Sequence, residues 1–103
     1  MNIAKSIKKL AKVAPVVYNA DQHHYEARYK GYVIAFHGNG GNTPETEVDG
    51  AMYRRENDHS DSMTDYCAWT FTDSIPAAIK RVDRNASYPT AAAVVASYAR
   101  AAS

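Results

Sequence analysis

Cysteine is almost missing from this chain of 103 residues, in which Cys67 is the only one. No disulfide can therefore form within the chain. Small domains from oxidising compartments usually depend on several paired cysteines. This absence excludes a disulfide-stapled scaffold and favours a reducing compartment, so we expect a cytoplasmic protein.

Long apolar runs are also missing. Near the start of the chain, lysines interrupt every apolar stretch, so none is long enough for a signal peptide or a membrane span. Hydrophobic residues make up 46% and charged residues 22% of the chain, which is typical of a globular protein. We expect a single domain over residues 1–103, either a monomer or a homodimer, without a membrane partner.

Catalytic and metal-binding motifs are not found. There is no His-Glu-x-x-His or Cys-x-x-Cys pattern, and the adjacent His23 and His24 would point to opposite faces of a strand. Cys67 alternates with Trp69 and Phe71, a setting in which a thiol behaves as a small buried hydrophobe. We therefore expect no catalytic residue, no metal and no cofactor.

The pattern at the start of the chain predicts an amphipathic helix from Asn2 to Ala14. Apolar residues recur at helical spacing, and four lysines fall on the opposite side. Pro15 ends the helix because proline disfavours helical geometry in the residue before it.

The middle of the chain predicts strands. Tyr25, Ala27 and Tyr29 alternate with polar residues, a second alternation runs from Tyr32 to His37, and Lys30-Gly31 fits a two-residue hairpin turn. Residues 38–44 (GNGGNTP) predict a mobile loop. Further strands are predicted at residues 16–18, 51–55 and 63–71. In the last of these we expect Cys67, Trp69 and Phe71 to form the centre of the core.

Two helices are predicted in the last third of the chain. Residues 72–74 offer N-cap side chains for a helix from Ile75 to about Arg84, and Thr90 can cap an alanine-rich third helix. The predicted fold class is α+β, with an N-terminal helix, a mostly antiparallel sheet of four to five strands and two C-terminal helices packed on one face.

The acidic residues are concentrated in mid-chain. Eight of the eleven acids lie between Glu45 and Asp73, against only Arg54 and Arg55. Acids interleaved with tyrosines suit a docking surface for a basic partner. The predicted partner-binding residues are Glu47, Tyr53, Asp58, Asp61, Asp65 and Tyr66.

The predicted helices carry the complementary charge, which gives an alternative. If they lie side by side, their basic residues form a surface for nucleic acid, and the eight tyrosines add stacking platforms. The residues of this alternative are Lys8, Lys9, Lys12, Lys80, Arg81 and Arg84.

The segment 62–66 (SMTDY), followed by Trp69 to Phe71 and by the helix start at Ile75, resembles a segment that recurs in uncharacterised bacteriophage α+β proteins. Anti-CRISPR proteins belong to this broad population. The resemblance implies a non-enzymatic inhibitor, encoded by a phage or mobile element. Such an inhibitor binds a basic, nucleic-acid-binding surface of a host protein or ribonucleoprotein defence complex, for example a CRISPR-Cas effector.

Overall fold

A five-stranded antiparallel sheet and two helices make up the part of the chain that the computed structural model describes, residues 1–56 and 69–87. The α+β class and the antiparallel sheet are confirmed. The helices are α1 (Ile3–Ala11) and α2 (Ile75–Ser87), and the strands are β1 (Val17–Asn19), β2 (His24–Tyr29), β3 (Tyr32–Phe36), β4 (Ala51–Arg55) and β5 (Thr70–Thr72). Neither of these helices has the length and apolar character that crossing a membrane requires.

The strands lie in the sheet in the same order as in the chain. Between β2 and β3, Lys30 and Gly31 have φ values of 50° and 80°, the left-handed geometry that a two-residue turn needs to match the twist of its strands. Tyr29 therefore pairs with Tyr32, and the predicted alternation of both strands is confirmed.

One face of the sheet carries the core. Ile34 and Phe36 of the central strand are at most 1% exposed, and Leu10 of α1 and Val82 of α2 are fully buried in the same cluster. Because the residues of β3 in this cluster alternate, both helices pack on the same face. Val33 and Ala35, which point to the opposite face, are also buried.

The helix boundaries differ from those expected. Helix α1 ends at Ala11 rather than Ala14, and the amide of Val13 donates to the carbonyl of Leu10, three residues back. This tighter final turn precedes Pro15, which opposes helical geometry at Ala14. Helix α2 begins at Ile75 as predicted but continues past Arg84. The third helix predicted from Thr90 lies outside the described residues.

The end of the loop predicted to be mobile, residues 38–44, and the residues just after it bond to the start of α1. The amides of Ile3 and Ala4 donate to the carbonyls of Thr46 and Pro44, at 2.9 and 3.1 Å, and the Asn2 side chain accepts from the amide of Lys5 at 2.9 Å. These amides begin α1 and have no partner within the helix. The loop and the N-cap together position the start of α1.

The expectation that Phe71 is central to the core is wrong. Its side chain is 65% exposed, and Trp69, just before β5, is only partly buried. Thr70 and Thr72 pair with core residues of β4, so the alternation places Phe71 on the face away from the helices. Cys67 lies outside the described residues.

The two phenylalanines of the chain give a direct test of this assignment. Phe36→Ala should lower the free energy of unfolding by about 3–5 kcal/mol because it leaves a cavity in the core. Phe71→Ala should change it by no more than about 1 kcal/mol, as expected of an exposed position. Urea denaturation of both variants measures the difference, and equal losses would contradict the assigned core.

Candidate nucleic-acid interface

Helix α1 is divided into an apolar face and a basic face. Ile3, Ser6 and Leu10 are buried, whereas the intervening lysines point to solvent. The lysines lie opposite the apolar stripe because residues three or four apart share one side of a helix. The exposed lysines are Lys5, Lys8 and Lys9, followed by Lys12 at the C-cap.

Helix α2 has the same arrangement. Ile75, Ala78 and Val82 are buried against the sheet, and its basic residues are exposed. The two helices contact each other on one face of the sheet, so their outward sides face the same side of the molecule. We call this outward side the basic surface. It consists of Lys5, Lys8, Lys9, Lys12, Lys80, Arg81 and Arg84.

The single acid on α2 is paired. Asp83 accepts hydrogen bonds of 2.7 Å from the Lys30 ammonium and the Tyr29 hydroxyl. The bond from Lys30 is the main cause that lowers the pKa of Asp83, and the bond to Asp83 is the main cause that raises the pKa of Lys30. Both groups stay charged at neutral pH and compensate each other. No unpaired carboxylate therefore interrupts the described basic residues of the two helices.

The positive charge of the basic surface comes from side chains, and the start of α1 adds no free backbone amides. The first amides of α1 already donate to residues 44–46 and to Asn2, so this helix start has no free amides for a phosphate. Neither helix contains an aromatic residue. Of the tyrosines expected to give stacking platforms, Tyr32 and Tyr53 are only 8% and 7% exposed, whereas Tyr18 of β1 is 45% exposed.

The predicted acidic docking surface is described only in part. Asp58, Asp61, Asp65 and Tyr66 lie outside the described residues. Of the other two, Tyr53 does not have the exposed position expected of a partner-binding residue. Its ring packs in the core against Tyr32, at 6.1 Å between centroids, because its place in β4 points it towards the helices.

Acids of the same segment have partners within the chain. Glu47 is exposed, and its carboxylate lies 3.0 Å from the amino group of Met1. Glu56 lies 3.4 Å from Arg28, and Asp49 accepts from the side chain of Asn39. Glu47 and Asp49 precede β4 and Glu56 follows it, so the described acids of this segment are divided between the two ends of that strand.

His24 is a buried polar residue that the sequence pattern does not identify. It lies on the sheet face away from the helices, 3% exposed, with its ring edge-on to Trp69 at 5.6 Å. Among the described residues its Nε2 has no hydrogen-bond partner, and the nearest Glu26 carboxylate oxygen is 3.9 Å away. Burial lowers the pKa of His24, Glu26 opposes this, and His37 and Arg54 reinforce it. In the sequence His24 lies in a polar stretch, and nothing there indicates that its ring is buried.

No metal-holding cluster is found among the described residues. Within residues 1–56 and 69–87 no three side chains of histidine, cysteine or acid come together as a metal site would require. Neither a protein-family model, a curated protein nor a solved structure matches this chain.

The burial of His24 predicts a pH dependence of stability. The folded chain has the lower pKa, so the unfolded chain takes up the proton first, and the free energy of unfolding should fall as the pH drops below about 6.5. Above that pH the ring is neutral in both states, and this contribution is constant. Urea denaturation between about pH 5 and pH 8 measures the effect.

His24→Gln should flatten this dependence. His23→Asn is the matched control because His23 is exposed and has a φ of 55°, which asparagine tolerates. It should retain the dependence of the unaltered protein. If His24→Gln and the unaltered protein lost the same stability on acidification, the assignment to His24 would be refuted.

Proposed function

We propose that the protein binds nucleic acid through the basic surface, by contacts to the phosphate backbone. The supporting observation is that two adjacent helices present seven lysine and arginine side chains to one side of the molecule. The only acid in either helix is compensated by Lys30. Such a one-sided positive field attracts a polyanion.

The residue types of the basic surface suit contacts to phosphate better than recognition of base edges. Lysine is a flexible point charge suited to phosphate, whereas sequence reading needs side chains held against base edges. Single-strand binders usually add aromatic platforms, and neither helix has one. Binding should therefore be largely independent of sequence and should favour a duplex.

Salt dependence tests the proposal. Each phosphate contact on a DNA duplex contributes about −0.9 to the slope of log K against log salt concentration. Replacing Lys8, Lys9 and Lys12 with glutamine should make the slope shallower by about 2 to 3. Fluorescence anisotropy with a labelled duplex of about 20 base pairs, titrated at several salt concentrations, measures both slopes.

A pair of single substitutions supplies the control. Lys9→Gln removes a charge from the basic surface, and Arg28→Gln removes an exposed charge from the sheet face away from the helices. Only Lys9→Gln should reduce the slope, by about 0.9. No binding at low salt, or equal effects of both substitutions, would overturn the proposal.

The inhibitor hypothesis from the sequence remains a prediction. It includes the phage or mobile-element origin, the host defence complex as partner and the cytoplasmic location. Four of its six contact residues lie outside the described residues, and Tyr53 is buried. The described geometry therefore gives more support to nucleic-acid binding, which was the alternative in the sequence analysis.

A further inference from the structure

A cleft of about 270 Å³ lies at one end of the sheet, away from the basic surface. It is bounded by the ends of β3 and β4, by β5, and by residues 37–39 and 49–50, and no residue of α1 or α2 lines it. A Cβ atom on Gly50 would stand 2.5 Å from the carbonyl oxygen of Thr72, so glycine permits the close approach of backbone at this wall.

One side of the cleft is apolar. Phe71 is 65% exposed and lies beside Met52, with which it pairs across β4 and β5. Met52 pairs in turn with Ala35 of β3, and all three residues line the cleft. An exposed phenylalanine ring on a short strand provides a flat surface against which a planar group can stack. The negative face of the ring also attracts a cation.

The polar residues of the cleft provide acceptors. The amide of Asn39 donates to the Asp49 carboxylate at 2.7 Å, which leaves the Asn39 oxygen as an acceptor. Nδ1 of His37 lies 3.2 Å from the carbonyl oxygen of Gly38, and because a carbonyl oxygen can only accept, Nδ1 is the donor in this contact.

The charge of the cleft is negative. Asp49 is the only charged lysine, arginine or acid among the lining residues, and within the described ranges it forms no ion pair. A ligand that matches these features has a cationic group with several N–H donors attached to a small planar or apolar body. An anionic ligand would be repelled by the Asp49 carboxylate, because no lysine or arginine lines the cleft to compensate that charge.

We propose that this cleft binds a small planar organic cation of the amidine or guanidine class. The cationic N–H groups would donate to Asp49, and the planar body would stack on Phe71. The cleft volume of about 270 Å³ falls just below the range of small-molecule sites, which begins at about 300 Å³, so it suits a ligand of one ring.

Benzamidine is the probe that tests this site. Benzamide is its neutral counterpart of similar shape, and benzoate is its anionic counterpart. Titration of the ¹⁵N-labelled protein, followed by amide chemical shifts, should show saturable binding of benzamidine with shifts confined to residues 35–39, 49–52 and 71–72. Benzamide should bind at least about tenfold more weakly because it lacks the charge-assisted hydrogen bonds, and benzoate should not bind.

Variants separate the two contacts. Asp49→Asn should weaken benzamidine binding by at least about tenfold, and Phe71→Ala by about threefold. Asp21→Asn changes an exposed acid remote from the cleft and should leave the affinity unchanged. Unshifted core amides in each variant establish that it is folded.

The same chemistry is found in a free small molecule and in an arginine side chain of a peptide. N-acetylarginine amide distinguishes these sources. If it binds more tightly than benzamidine, the cleft takes the arginine side chain of a peptide; if it binds more weakly, the cleft takes a free aromatic cation.

Equal affinity for benzamidine and benzamide, shifts spread over the whole molecule, or full affinity in Asp49→Asn would overturn the proposal. None of these outcomes bears on binding at the basic surface.

Discussion

Burial of two helical stripes against one face of the sheet is the constraint on which the rest of the structure depends. Leu10 and Val82 are fully buried beside Ile34 and Phe36, so neither helix can rotate without exposing apolar surface. Burying one side chain of this size stabilises the folded state by about 1.5–3 kcal/mol relative to leaving it exposed. The basic side chains point outward because the opposite sides of these helices are fixed inward.

Polar contacts at two places set where the helices lie along the sheet. The segment from Pro44 to Thr46 accepts the first amides of α1, and Asp83 of α2 bonds Tyr29 and Lys30 at the β2–β3 turn. The pair between Lys30 and Asp83 is exposed and adds little stability by itself. Its larger effect is electrostatic, since it removes the one negative charge on the helices from the field of the basic surface.

Local patterns were sufficient to predict most elements. The glycine at position 31 and the alternation on either side of it identified the β2–β3 hairpin, and the spacing from Ile75 to Val82 identified α2. The location of the core was missed at Phe71, because alternation shows which residues share a face but not which face the helices cover. The unbroken run YVIAF of β3, buried on both faces, was the better indication of the centre.

The surfaces were harder to predict than the elements, because they depend on which parts of the chain come together. The lysines of α1 were visible as one side of a helix, but their proximity to the basic residues of α2 required the packing of both helices on the sheet. The cleft joins residues 37–39, 49–50 and β5, which are far apart in sequence. His24 likewise becomes an unpartnered buried group only through its contact with Trp69.

Mapping of amide chemical shifts in the ¹⁵N-labelled protein with an unlabelled DNA duplex tests the central claim most directly. We predict that the largest shifts fall on the outward positions of α1 and α2, around Lys8, Lys9, Lys80 and Arg81. Shifts concentrated on the opposite sheet face, around Arg28 and Arg54, would contradict it, as would a spectrum that the duplex leaves unchanged at low salt.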